Sequence, residues 1–325
     1  MKDTMTMVFG LTANLDLVNE ICDYLKIKPG KISVSHFADG EILVEPEESV
    51  RGKRVYLVQS SCKPTTEHLM EVLIAVDAFR RASAREITCI MPYFGYARQD
   101  RKARPRQPIT SKLVADLIST AGADRVVMFD LHAAQIQGFF NCPTDNLTTI
   151  PMMGAYFRRH PRIKMKNAVV VSPDHGGTTR ARSLAEILGV PLAIVDKRRP
   201  QANVAVANDV IGDVVGKDCI VVDDICDTGG SLIASCDILK EKGAKNIYVA
   251  IAHPVFSGNA AEKIQNSCIK EMVVSNTIPL SEEAKTVKKI KVVSVGKLLA
   301  GLIDAISNNT PVSDIYNFKD HSFDF

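Results

Sequence analysis

Val221-Val222-Asp223-Asp224-Ile225-Cys226-Asp227-Thr228-Gly229-Gly230-Ser231 decides the fold of this chain. The apolar residues 220–222 read as a strand buried on both faces, with two carboxylates, Asp223 and Asp224, at its carboxyl end. A helical stretch follows, and in open α/β sheets that edge is where ligands bind. Gly229 and Gly230 let the backbone approach a phosphate, whose oxygens take hydrogen bonds from N–H groups at the helix start. Thr228 and Ser231 add hydroxyl donors, and Asp227 stands at the head of the loop. When ionised, Asp223 and Asp224 only accept hydrogen bonds, which suits vicinal sugar hydroxyls better than a second phosphate. Together the two halves describe a sugar phosphate. An Asp-rich turn before a glycine-started helix is common in α/β proteins; strand, acidic pair, Asp-Thr-Gly-Gly and helix in that order are much rarer.

Outward from this stretch, short β-branched runs recur at residues 54–59, 86–91, 125–130, 168–172, 191–196, 219–224 and 246–252. They alternate with segments of helical period, which predicts parallel βαβ units. In residues 67–81, for example, Leu69, Met70, Leu73, Val76 and Phe79 form one apolar face, with Glu67, Glu71, Arg80 and Arg81 elsewhere. Asn141, Pro143, Asp145, Asn146 and Pro151 punctuate the expected seam between two α/β domains, residues 1–150 and 151–307. The tail, residues 308–325, has no period. Its Ile, Tyr and Phe content favours docking on the first domain, up to about residue 318, over disorder.

A chain of 325 residues, 46% hydrophobic, has enough apolar material for two cores. Forty basic against 37 acidic residues leave a net charge of +3, so no global field points to nucleic acid or an anionic membrane. Anion binding must be local. No apolar run approaches the roughly 20 residues that cross a bilayer, and the opening MKDTMTMVFG has neither a basic n-region nor an apolar h-region. The eight cysteines form no C-x-x-C pair and read as buried free thiols of a cytoplasmic protein.

Three further clusters sit after predicted strands. Asp130 and His132 leave the end of one strand, and residues 169–171 run into Ser172-Pro173-Asp174-His175-Gly176-Gly177. Asp174 and His132 are candidates to share a divalent ion, and magnesium, reluctant to dehydrate, fits one or two protein groups plus substrate oxygens. Lys197, Arg198 and Arg199 precede a stretch with no apolar period, where a cationic lid over transferred phosphoryl oxygens can be mounted. Arg98-Gln99-Asp100-Arg101-Lys102-Ala103-Arg104-Pro105-Arg106 carries five cations and one carboxylate. The modest net charge makes a polyphosphate nucleotide its better partner than a nucleic acid. Phe37 or Tyr96 is available to lie against a purine, and Phe37-Ala38-Asp39-Gly40-Glu41 offers acceptors for its amino group.

In this order, over essentially the whole length, these segments resemble the ribose-phosphate diphosphokinases. The resemblance implies two phosphoribosyltransferase-like domains, each with a mainly parallel β-sheet flanked by helices. It implies transfer of the terminal diphosphate of ATP to O1 of ribose 5-phosphate, with magnesium as cofactor. By motif, Phe37, Asp39, Gly40, Glu41, Arg98, Gln99, Asp100, Arg101 and His132 would bind ATP, the Phe37 loop coming from a neighbouring subunit. His132, Asp174 and Asp130 would bind metal, and Lys197 and Arg199 would be the catalytic cations. Ribose 5-phosphate would lie on Arg199, Asp223, Asp224, Asp227, Thr228, Gly229, Gly230 and Ser231. The resemblance also implies a homo-oligomer, usually a hexamer. It further implies activation by inorganic phosphate and inhibition by ADP at a regulatory site to which Arg51, Ser83, Arg104 and Ser313 belong. The chain departs from the pattern at Asn141, where an Asp is frequent, at Pro105, where Ser or Asp is usual, and at Ser231, which replaces a frequent Thr but keeps the hydroxyl.

Overall fold

Most of the apolar runs fold as strands covered on both faces in the computed structural model, which describes residues 5–196 and 209–316. The first strands are β1 (Thr6–Gly10), β2 (Ile32–His36), β3 (Ile42–Pro46), β4 (Arg54–Val58), β5 (Glu86–Met91), β6 (Arg125–Phe129) and β7 (Thr144–Leu147). The helices among them are α1 (Leu15–Leu25), α2 (Thr65–Arg81) and α3 (Thr110–Ala121). Five strands pair in parallel in the order β1-β4-β5-β6-β7. In β4, Val55, Tyr56, Leu57 and Val58 are all buried, as a strand with helices on both sides requires. β2 and β3 stand apart as an antiparallel hairpin.

The inner face of α2 differs from the predicted one. Met70 is exposed, while Glu71 is fully buried beside Leu69, Val72, Val76 and Phe79. A buried carboxylate is tolerated when hydrogen-bonded. Here Glu71 accepts from the Thr12 hydroxyl at 2.7 Å and from the Gln59 amide at 2.6 Å. This polar knot ties α2 to the carboxyl ends of β1 and β4.

A second unit begins between Thr148 and Thr149. It contains α4 (Ile150–Arg159), β8 (Ala168–Ser172), α5 (Thr178–Leu188), β9 (Leu192–Asp196), β10 (Asp209–Ile211), β11 (Asp218–Cys226) and α6 (Gly230–Glu241). β12 (Asn246–Pro254), α7 (Ala260–Asn266), β13 (Glu271–Ser275), α8 (Glu282–Thr286) and β14 (Ile290–Val293) complete it. The sheet order is β10-β9-β8-β11-β12-β13-β14, parallel except for β10 at one edge. Strand order reverses at β8: β9 lies on one side and β11 on the other. That reversal is a topological switch point, where the connections diverge and leave a crevice at the strands' carboxyl ends. The first sheet has no such reversal.

The last helix, α9 (Gly296–Ser307), belongs to the first unit, which corrects the expected extent of the second domain to residue 307. The reason is apolar cover. Leu298, Leu299, Leu302 and Ile303 of α9 are buried, as are Leu17, Val18 and Ile21 of α1, and the two helices pack together. Polar bonds fix the contact: the Ser307 hydroxyl lies 2.9 Å from those of Thr6 and Tyr56, and Arg54 donates to the Ser307 carbonyl at 2.7 Å. Beyond α9 a 3-10 turn, Val312–Tyr316, stays on this unit, where the Tyr316 hydroxyl accepts from the Thr148 N–H at 2.7 Å. All eight cysteines are free thiols, six of them buried.

Candidate active site

β11 runs on past its neighbour β8. Its pairing with β8 stops at Val221, whereas β12 continues to supply backbone partners as far as Cys226. Asp223 and Asp224 therefore lie within the strand and not beyond it, on a stretch whose β8 side is open. Asp224 is buried and Asp223 is half-buried. Arg180, in the first turn of α5, reaches both, its Nη1 3.4 Å from Asp223 Oδ1 and 3.3 Å from Asp224 Oδ1. Burial, then the hydrogen bond and charge of Asp224, hold the Asp223 carboxyl well above the usual carboxylate range, against the pull of Arg180. Arg180 escapes sequence reading. Its one signal is a cation placed just after Gly176-Gly177, in the loop that faces the acidic pair across the switch point.

The loop after β11 is built for close approach. Gly229 has φ +74, the left-handed region that glycine enters without steric cost. α6 starts at Gly230 and no side chain caps it, so its first-turn N–H groups face the loop. Thr228, Gly230 and Ser231 are exposed. The carbonyls of this loop are occupied from behind: Cys226 O accepts from Phe256 N–H, Asp227 O from Ser257 N–H and Thr228 O from the Lys263 ammonium. On the other side of the switch point, exposed Asp174 accepts the Gly177 N–H at 3.0 Å at the start of α5. The Ser235 hydroxyl of α6 donates to Pro173 O at 3.3 Å and joins the two loops.

Residues predicted in the first unit are placed as follows. Asp130 is buried with φ +37 directly after β6, and its carboxylate accepts from the Thr148 hydroxyl at 2.8 Å. His132 is exposed two residues on, before the 3-10 helix Ala134–Phe139. Gln135 of that helix donates to Asp100 at 3.2 Å, which brings the segment with exposed Arg98 and Arg101 to the carboxyl end of β6. The Gln99 side chain accepts from the Thr110 hydroxyl at 2.6 Å, at the start of α3. Phe37 and residues 38–41 form the exposed tip of the β2–β3 hairpin, whose bonds are local. Phe37 N–H donates to Glu41 O, Glu41 N–H to the Asp39 carboxylate, and Gly40 takes φ +93. Arg51 donates to the Ser83 hydroxyl at 3.1 Å, so two residues expected at a regulatory site do touch. Arg104 and Ser313 are exposed, as are Asn141 and Pro105. Lys197 and Arg199 lie outside the described residues; Asp196 and Asp209 pair across β9 and β10, so the chain leaves and rejoins this sheet edge at one point. No three His, Cys, Asp or Glu side chains gather as a metal cage among the described residues.

The family model for the N-terminal domain of ribose phosphate pyrophosphokinase matches residues 6–122, and that for the phosphoribosyl synthetase-associated domain matches residues 199–317. Ribose-phosphate pyrophosphokinase 2 of Enterococcus faecalis is 50% identical over 317 residues, which is 98% of this chain and 98% of that protein. The ribose-phosphate pyrophosphokinase of Bacillus subtilis is 49% identical over 315 residues, 97% and 98% of the two chains. The crystal structure of phosphoribosylpyrophosphate synthetase from Mycobacterium smegmatis matches with a TM-score of 0.88 at 40% identity, covering 94% of this chain and 99% of that one. With these relatives spanning both sheets and the loops at the switch point, the chain belongs to the ribose-phosphate pyrophosphokinase family.

Proposed function

We propose that this chain moves the β,γ-diphosphate of ATP as one unit onto O1 of ribose 5-phosphate, giving 5-phosphoribosyl 1-diphosphate and AMP for nucleotide biosynthesis. The observation that carries the reading is the switch point of the second sheet, where an acidic pair lies beside an uncapped, glycine-opened helix. The 5-phosphate binds the N–H groups at the start of α6 with the hydroxyls of Thr228 and Ser231. Asp223 and Asp224, held by Arg180, take the ribose hydroxyls. ATP binds to Arg98, Gln99, Asp100, Arg101 and His132, with the Phe37 to Glu41 hairpin tip supplied by a neighbouring copy.

O1 attacks the β-phosphorus, the O1–P bond forms, and the bond from that phosphorus to the AMP oxygen breaks with its electrons leaving on AMP. Lys197 and Arg199 neutralise charge spreading over the transferred oxygens, so the step rests on positioning and electrostatics. When bound, Mg²⁺ supplies charge neutralisation on the polyphosphate. Exposed Asp174 and His132, with Asp130 fixed by Thr148, are its proposed donors.

Arg51, Ser83, Arg104 and Ser313 are proposed to bind activating phosphate and inhibitory ADP in a cytoplasmic homohexamer. Light scattering tests the assembly, and purely competitive ADP with no phosphate dependence would remove the regulatory site. The reaction is tested by phosphorus NMR of the protein with ATP, ribose 5-phosphate, Mg²⁺ and inorganic phosphate. AMP and phosphoribosyl diphosphate are the expected products, and Lys197→Ala is expected to slow their appearance about 10³- to 10⁵-fold, as loss of an arginine finger does. ADP with a singly phosphorylated sugar would show an ordinary kinase instead, and no turnover would show a silent subunit.

A further inference from the structure

The amino-terminal edge of the second sheet, at the other end of the strands from Asp223 and Asp224, holds a cavity of about 300 Å³. Asp218 to Asp224 separates the two ends along β11, roughly 20 Å of strand at about 3.3 Å per residue. Four lysines from separate segments line this cavity. Lys240 comes from the last turn of α6, Lys245 from the turn before β12, and Lys270 and Lys289 from the approaches to β13 and β14. Ser267 and Cys268 complete its polar wall; no lining residue is acidic, and the one carboxylate beside it, Asp237, is engaged by the Cys268 thiol.

Two of the four ammonium groups are held in place. Lys289 Nζ donates to Ser267 O at 2.8 Å and Ile264 O at 3.4 Å, and Lys240 Nζ to Lys245 O at 3.3 Å and Ala244 O at 3.4 Å. An ammonium carries three N–H donors, so each retains one for a ligand. Burial, and more weakly the charge of Lys270, hold the Lys289 ammonium below the usual lysine range. Cations crowded in this way, with no acidic side chain in the wall, call for an anion between them.

We infer that this edge is a further anion site, apart from the switch point, taking a small phosphate-bearing molecule. Lysines bind phosphate as point charges, and four of them match a multiply charged anion better than a monocarboxylate. The volume lies at the low end of small-molecule pockets, which admits phosphate, diphosphate or a short phosphate ester and excludes a polymer. A neighbouring cavity of about 230 Å³ shares Lys270 and adds Arg162, which extends the cationic lining. Its carboxylate, Glu271, is already engaged by the Tyr156 hydroxyl at 2.8 Å and by His160 at 3.1 Å.

Lysine footprinting by an amine-reactive reagent and mass spectrometry tests the site, with inorganic diphosphate as probe, no magnesium, and acetate at matched ionic strength as control. Near ten times its dissociation constant, diphosphate should slow labelling of Lys245, Lys270 and Lys289 about tenfold by mass action, and leave exposed Lys28 and Lys288 unchanged. In Lys245→Gln/Lys289→Gln the protection of Lys270 should vanish while turnover persists. Unchanged labelling, equal protection of Lys28 and Lys288, or equal protection by acetate would each overturn the inference. So would protection of Lys270 that survives in the double variant.

Discussion

Arg180 faces two carboxylates that are largely withdrawn from water, and the three groups stand or fall together. Arg180→Gln would leave the acidic pair without its cation, a loss of about 3 kcal/mol at neutral pH. The sign of the pH dependence follows from Asp223, whose folded pKa is raised. The folded state then binds more protons than the unfolded one, so stability falls as pH rises from the ordinary carboxylate range towards the raised value. Removing Arg180 raises that pKa further and carries the fall on to higher pH. Thermal unfolding followed by circular dichroism should show the variant lagging the parent more at roughly pH 8 than at roughly pH 5; an equal gap would mean that Asp223 is not the group responsible.

Asp224→Asn removes a neighbouring charge but not the burial, so Asp223 should titrate lower. The acid limb of kcat/KM for ribose 5-phosphate should move down in pH with it, and an unmoved limb would sink the assignment. A Cβ added at Gly229 would make ordinary van der Waals contact, 3.6 Å from Ile233 Cδ1 and 4.0 Å from Ala260 Cβ, so the effect of Gly229→Ala is conformational and not steric. Holding a side chain at φ +74 costs about 1–2 kcal/mol, which predicts roughly a tenfold rise in KM for ribose 5-phosphate in steady-state kinetics. The turn at Gly229 and the helix start at Gly230 are legible in the sequence, because an adjacent glycine pair marks a left-handed turn into a helix. Arg180 is not, because its partners are more than 40 residues away and only the fold brings them within reach.

At the scale of elements, the apolar runs at 54–59, 86–91, 125–130, 168–172, 191–196, 219–224 and 246–252 correspond to β4, β5, β6, β8, β9, β11 and β12. These are interior strands, and in all but β9, where burial alternates, burial on both faces makes them read as continuous apolar stretches. Among the strands without that signal, β2 ends in exposed residues, β14 has two exposed residues between buried ends, and β10 has three residues. β1 and β13 differ, since Val8 and Phe9 in the one and Met272, Val273 and Val274 in the other are buried apolar residues in a shorter stretch. α4 and α5 pack through a small residue: a Cβ on Gly154 would sit 2.5 Å from Ile187 Cγ2. Gly154→Ala should therefore destabilise by about 1–3 kcal/mol, the usual cost of overpacking. Adding Ile187→Ala should recover part of that loss in a double-mutant cycle of denaturant unfolding; simple additivity would show that the helices separate without strain.

For the molecule as a whole, each sheet has its own apolar core, and the boundary between units falls inside the turn-rich seam that the sequence displays. What the sequence did not display is that the first unit is discontinuous. Helical period marks α9 as amphipathic but is silent about which apolar surface it will cover, and that surface is α1, some 280 residues earlier. A chain stopped after Val293 should lose the cooperative unfolding of the first unit and keep that of the second in calorimetry. Retention of both transitions would show α9 to be dispensable cover.

The meeting of Thr6 with Ser307 also sets an order of events during synthesis. The first strand leaves the ribosome early, yet its unit cannot be sealed until α9 follows, by which time the whole of the second sheet is out. The half that carries the Asp223 to Ser231 stretch is thus free to reach its final form first, although it is translated second. In the interval α1 lacks the cover that α9 will give it, an open face for any chaperone that attends the nascent chain.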